Sequence, residues 1–195
     1  KFIWSRVFGF LLIWNLVMGI LYVLLIPLIL PDSAQNYKTT LVLLFVLPTV
    51  LFDTINFVGA KKLQYSQQPL LFGIIATLSA VIGYLVLYKS VVQYGVGYLG
   101  WLYSAFAISS VSGVLYSYVL FVRYKLFPSF RFNFKWLQKK LIIALPVIPH
   151  FYAIFLLSNS DRIMMDILNI SIEEIGIYSL AYQIGGYFSL IGISL

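Results

Sequence analysis

An aspartate and an arginine stand side by side, Asp161-Arg162, in the otherwise apolar stretch Leu156-Leu-Ser-Asn-Ser-Asp-Arg-Ile-Met-Met165. Charge at membrane depth costs about 3 kcal/mol or more, so such groups turn to partners, a bundle interior or a wet cavity. His150 precedes Asp161 by close to three helical turns, so the two fall on about one face of a regular helix, with Ser158 on its flank. That face suits the wall of a hydrophilic cavity, with Arg162 beside it in a functional role and His150 as a proton-responsive group. The plainer alternatives are a packed histidine bonded to a backbone carbonyl, and an arginine that snorkels near the outer end of its helix or pairs with an acid there.

A second polar set lies earlier in the chain. Asp53 and Asn56 are i, i+3 neighbours after Pro48 and are expected on a shared face, about two turns before Lys61-Lys62. Asp53 would need a cation or donor when ionised, or would serve a proton-coupled cycle when protonated; a structural hydrogen bond to an adjacent helix is the equal alternative. Lys61 and Lys62 would flank a cytoplasmic mouth.

The elements that must position these residues are spans. The chain has 195 residues, 62% hydrophobic and 10% charged, whereas soluble domains hold about 25% charged residues. About 20 apolar residues cross a bilayer core. By that rule spans are expected near Phe8–Leu30, Thr39–Ala60, Leu70–Tyr88, Val96–Val122, Leu141–Met165 and Gly176–Leu195. The fold class is therefore all-α, a polytopic membrane helix bundle with six transmembrane helices visible. The chain starts at Lys1 and stops inside an apolar run, and the expectation is an internal piece of a longer protein. Absence of cysteine removes disulfides and thiolate chemistry, a single histidine removes a multi-histidine metal site, and no cofactor is expected.

Charge sets the direction. Lys1, Arg6, Lys61, Lys62, Arg123, Lys125, Arg131, Lys135, Lys139 and Lys140 fall on one side with no acid among them. Lys38 and Lys89 share the other side with Asp32, Asp166, Glu173 and Glu174. The basic side is expected to be cytoplasmic. A net charge of +7 thus reflects topology, and no nucleic-acid partner is expected. Four spans over residues 1–122 are followed by a basic cytoplasmic linker, 123–140, and two spans over 141–195. Within the linker, Phe130-Arg-Phe-Asn-Phe-Lys-Trp-Leu-Gln-Lys-Lys140 suits a short interfacial helix with Trp136 and Leu137 in the headgroup boundary.

Other residues suit packing. Ala105, Ser109, Gly113 and Ser117 recur every four residues in the fourth span, a small-residue stripe that admits a close neighbour. Gly185, Gly186 and Gly192 serve packing or bending in the sixth. Pro146 and Pro149 open the fifth span, where a kink or local unwinding is expected.

Three pieces, Leu141-Ile-Ile-Ala-Leu-Pro-Val-Ile-Pro-His150, Ser160-Asp-Arg-Ile163 and Glu174-Ile-Gly-Ile-Tyr-Ser-Leu-Ala-Tyr182, resemble the seventh and eighth helices of bacterial polysaccharide-biosynthesis flippases. These are the O-antigen or capsule repeat-unit exporters of the multidrug/oligosaccharidyl-lipid/polysaccharide superfamily. The Gly59-Ala-Lys-Lys62 turn is similar to the basic turn after that family's fourth helix, where arginine is frequent. The resemblance implies helices three to eight of a two-lobe transporter of about twelve or more: the end of the first lobe, the inter-lobe linker and the start of the second. It also implies a bacterial inner-membrane protein that translocates undecaprenyl-diphosphate-linked oligosaccharide by alternating access around a central cavity, and is not an enzyme. The expected path residues are Arg162, Asp161, His150, Ser158, Asp53 and Asn56. Expected partners are the lipid-linked oligosaccharide, membrane lipids and a coupling H+ or Na+. The alternatives are an H+- or Na+-coupled drug or metabolite antiporter of the same superfamily and, from another class, a polysaccharide polymerase or ligase. An enzyme of that kind would carry a sizeable outer loop with catalytic residues, whereas the outer loops expected here are short.

Overall fold

A computed structural model describes residues 2–29, 36–132, 138–139, 142–171, 173–182 and 185. The described residues form helices and turns, with an irregular segment over 125–132 and no strand among them. Five helical stretches are long and apolar enough to cross a membrane: Phe2–Leu28, Lys38–Tyr65, Pro69–Gln93, Leu99–Arg123 and Ile142–Ile167. The chain is an all-α, multi-pass membrane helix bundle. Most of the expected sixth span, with Gly186 and Gly192, lies outside the described residues, as do Trp136 and Leu137.

The helices run past the expected spans. Helix α1, Phe2–Ile29, begins before Phe8, and the second stretch continues through Lys61-Lys62 to Tyr65. Hydropathy marks the part that crosses hydrocarbon, whereas the backbone ladder persists until turn chemistry ends it. After Tyr65 that chemistry is Gln67 at φ +50°, with Gln68 N donating to Leu63 O at 3.1 Å.

The second stretch has three parts: α2 over Lys38–Pro48, a π-helical turn over Thr49–Asp53, and α3 over Thr54–Tyr65. Pro48 supplies no amide hydrogen and crowds the carbonyl four residues back, so the ladder must adjust beside it. Helix α4, Pro69–Tyr88, and helix α5, Leu99–Ser117, also pass into π-helical turns, Lys89–Gln93 and Tyr118–Arg123. Gly95 and Gly97, both at φ +61°, reverse the chain between α4 and α5 in a left-handed conformation that side chains with a Cβ resist.

The chain divides into two compact units, Lys1–Phe132 and Asn133–Leu195. The first has two buried clusters. Phe8, Val58, Leu120 and Leu126 form one; Leu63, Ile75, Tyr116 and Val119 form the other. Small residues set the helix separations. A Cβ on Gly59 would come 2.6 Å from the Tyr116 ring, and one on Gly113 would overlap Phe52. The α5 stripe therefore meets the second stretch at Gly113 and Ser109, while Ala105 is exposed.

In the second unit, helix α6 covers Val147–Ile167. The stretch from Ile142 is interrupted by a turn at Leu145-Pro146, where Ile148 N donates to Leu145 O at 3.2 Å. Pro146 is the N-cap of α6, and Pro149 falls in the first turn, where an amide hydrogen would lack a partner anyway. Asn169, at φ +56°, closes the helix, with Ile170 N donating to Met165 O at 3.0 Å. Residues 173–182 are again helical.

Candidate functional site

The two members of the Asp161-Arg162 pair are held by different residues of the 173–182 helix. Arg162 Nε donates to Ser179 Oγ at 2.9 Å. Its Nη1 donates to Asn159 Oδ1 at 3.1 Å and reaches the Ser158 carbonyl at 3.5 Å. The guanidinium carbon lies 5.1 Å from the centre of the Tyr182 ring, within cation–π range. Asp161 Oδ2 accepts from the Tyr178 hydroxyl at 2.7 Å.

Local structure explains the arrangement. Asn159 precedes Arg162 by three residues, so its amide lies on the same side of α6. The Asn169 turn then brings the next helix back alongside, and Tyr178, Ser179 and Tyr182 fall within just over one turn of it. Every hydrogen-bond partner of Arg162 given above is neutral, and Asp161 is occupied by a phenol. The cation is thereby oriented without direct neutralisation by its neighbouring acid, a state suited to recognition of an anion.

His150 is exposed, its ring 6.1 Å from that of Phe151. It stands about 18 Å before Arg162 at 1.5 Å per residue, well outside that hydrogen-bonded group. Ser158 meets Arg162 through its backbone carbonyl, at 3.5 Å.

A second polar group lies in the first unit. Asp53, Asn15, Thr54, Leu11 and Phe57 line a pocket of about 250 Å³ between α1 and the second stretch. Asn15 Nδ2 donates to Thr54 Oγ1 at 2.7 Å and to Thr49 O at 3.4 Å, and Thr54 Oγ1 donates to Leu11 O at 3.3 Å. Asp53 closes the π-helical turn and is exposed, whereas Thr54 is buried.

Asn56 does not join Asp53 on a shared face. It turns to α5, donating from Nδ2 to Ser109 O at 3.1 Å and to Ser109 Oγ at 3.2 Å. An offset of three residues leaves about 60° around a helix, enough for the two side chains to meet different neighbours. Asn56 is thus a link between helices, while Asp53 lines a pocket.

Lys61 and Lys62 also part. Lys62 Nζ lies 5.0 Å from the Tyr124 ring centre and 5.8 Å from that of Trp4. Lys61 Nζ donates to Gln64 Oε1 at 3.2 Å and lines a separate cavity with Trp4 and Tyr65. Among the described residues, no group of three or more His, Cys, Asp or Glu is placed to hold a metal ion.

Asn15, Thr54, Asn159, Tyr178, Ser179 and Tyr182 are the polar or aromatic members that sequence analysis does not assign to a site. Asn15 does carry a signal, being the one amide in the expected first span. The others depend on the fold of the turn between helices. Comparison with protein-family models, curated proteins and solved structures gives no match for the chain.

Proposed function

We propose that the protein moves lipid-linked oligosaccharide repeat units, carried on undecaprenyl diphosphate, across the cytoplasmic membrane of a bacterium. The cargo would cross by alternating access, without chemical conversion. The observation that supports this most is the setting of Arg162: a cation in a spanning helix, oriented by Ser179 and Asn159, while Asp161 is bound by Tyr178. A diphosphate needs fixed donors that can be met inside the membrane, and a guanidinium offers two oxygens a fork. The isoprenoid tail needs no such provision, because the bilayer solvates it. The resemblance of Leu141–His150, Ser160–Ile163 and Glu174–Tyr182 to polysaccharide flippases points the same way.

The Asp53, Asn15 and Thr54 pocket favours a second reading, an H+- or Na+-coupled antiporter of drugs or metabolites. A carboxylate beside an amide and a hydroxyl at membrane depth suits the binding and release of a small cation.

The discriminating experiment reconstitutes the full-length protein in proteoliposomes and follows a fluorescent lipid-linked oligosaccharide by reduction of the outer-leaflet label. Movement of the label between leaflets supports the flippase. A static label, with drug or metabolite efflux driven by a proton or sodium gradient, replaces it with the antiporter.

A further inference from the structure

We infer that the cavity between α1 and α3 at the basic end of the first unit binds the phosphate headgroup of an anionic phospholipid. Ile3, Trp4, Val7, Phe57, Lys61 and Tyr65 line about 420 Å³ there. The lining comes from rows of residues four apart on two helices: Ile3 and Val7 on α1, and Phe57, Lys61 and Tyr65 on α3. Such rows lie one above another along a helix face, so the cavity is a groove along both helices.

Its chemistry changes along its length. Trp4 and Tyr65 meet edge to face with ring centres 5.8 Å apart, and amphipathic rings of this kind settle at headgroup level. Val7 and Phe57, further into the span than Trp4 and Lys61, supply an apolar wall for the start of an acyl chain. Lys61 is the one charged residue in the lining, and its partner is the neutral Gln64 amide. Lys62, by contrast, rests on the Tyr124 and Trp4 rings.

Charge selects the occupant. The segments that build this end, residues 2–12, 57–68 and 120–132, carry Arg6, Lys61, Lys62, Arg123, Lys125 and Arg131 and no aspartate or glutamate. A single lysine in the pocket matches a single phosphodiester, whereas a diphosphate would call for more donors. The occupant is accordingly a phospholipid with net negative charge, such as phosphatidylglycerol.

The full-length protein in nanodiscs tests this through Trp4. Every tryptophan except Trp4 is replaced by phenylalanine; Trp14 and Trp101 are exposed, so the exchange there keeps an aromatic on an open surface. Quenching by brominated phosphatidylglycerol is compared with quenching by brominated phosphatidylcholine. The anionic lipid is expected to quench Trp4 preferentially. Lys61→Gln is expected to lower that preference about fivefold, the effect of one basic residue near a charged surface, while Lys61→Arg retains it. Lys125→Gln removes the same charge from this end outside the pocket and is expected to leave the preference intact. Equal quenching by the two lipids overturns the proposal, as does an equal loss in Lys61→Gln and Lys125→Gln. Relief of quenching by inorganic phosphate, or by undecaprenyl diphosphate at concentrations matching the phospholipid, also overturns it and gives the pocket to a free anion or to the carrier.

Discussion

Arg162 Nε donates to Ser179 Oγ at 2.9 Å, tying a cation of one spanning helix to the helix that follows it. The bond fixes the plane of the guanidinium, and with Asn159 Oδ1 at 3.1 Å it uses the Nε and Nη1 edges. Ser179→Ala should therefore loosen the cation without removing it. A hydrogen bond between helices in a membrane contributes about 0.6 kcal/mol on average, so transport should fall by about threefold, far less than in Arg162→Ala. Initial rates at matched protein density check this.

Tyr178 keeps Asp161 engaged through a 2.7 Å bond. In Tyr178→Phe the carboxylate is released beside Arg162, and an acid–base contact should lower transport. Adding Asp161→Asn to Tyr178→Phe removes the competing charge and should restore much of the rate. The double-mutant cycle measures this coupling directly, and a strictly additive loss would count against the arrangement.

Asn56 joins the second stretch to α5 through Ser109. Asn56→Leu should cost stability of about 0.6 kcal/mol, with an upper bound near 1.7 kcal/mol, while transport per folded molecule stays near normal. Thermal unfolding in detergent reports the first effect and reconstituted flux the second.

Gly59 packs against Tyr116, with room for no Cβ at the present separation. Gly59→Ala should force the helices apart and destabilise the first unit by about 1–3 kcal/mol, the usual cost of overfilling a packed contact. Gly73, which has open space around it, is the control: Gly73→Ala should leave the melting temperature unchanged or raise it slightly, since alanine favours helix.

Much of the fold is legible in the sequence because hydrocarbon thickness imposes one strong rule. Five of the expected spans reappear as helices, and Pro146 marks the interruption near His150. The limits of the helices are less legible, since Lys61-Lys62 end the apolar run but not the hydrogen-bond ladder. The candidate site was visible only in part. Asp161-Arg162 stands out as charge in an apolar run, and Asn15 could have been found as a lone amide in another. Ser179 and Tyr178 lie 17 residues beyond their partners, and only the turn at Asn169 brings them back. Asp53 and Asn56 share a spacing but not a neighbour, because in a chain apolar all round periodicity does not set helix rotation.

The most direct measurement compares flipping of a fluorescent lipid-linked oligosaccharide by the full-length protein with flipping by Arg162→Ala and Arg162→Lys, all folded and equally reconstituted. The flippase proposal predicts a loss of about tenfold or more in Arg162→Ala, consistent with removal of charge-assisted hydrogen bonds. Arg162→Lys should fall between, keeping the charge but not the fork. Unchanged flipping in Arg162→Ala would contradict the role given to this cation, and a parent protein that moves no labelled lipid would contradict the function itself.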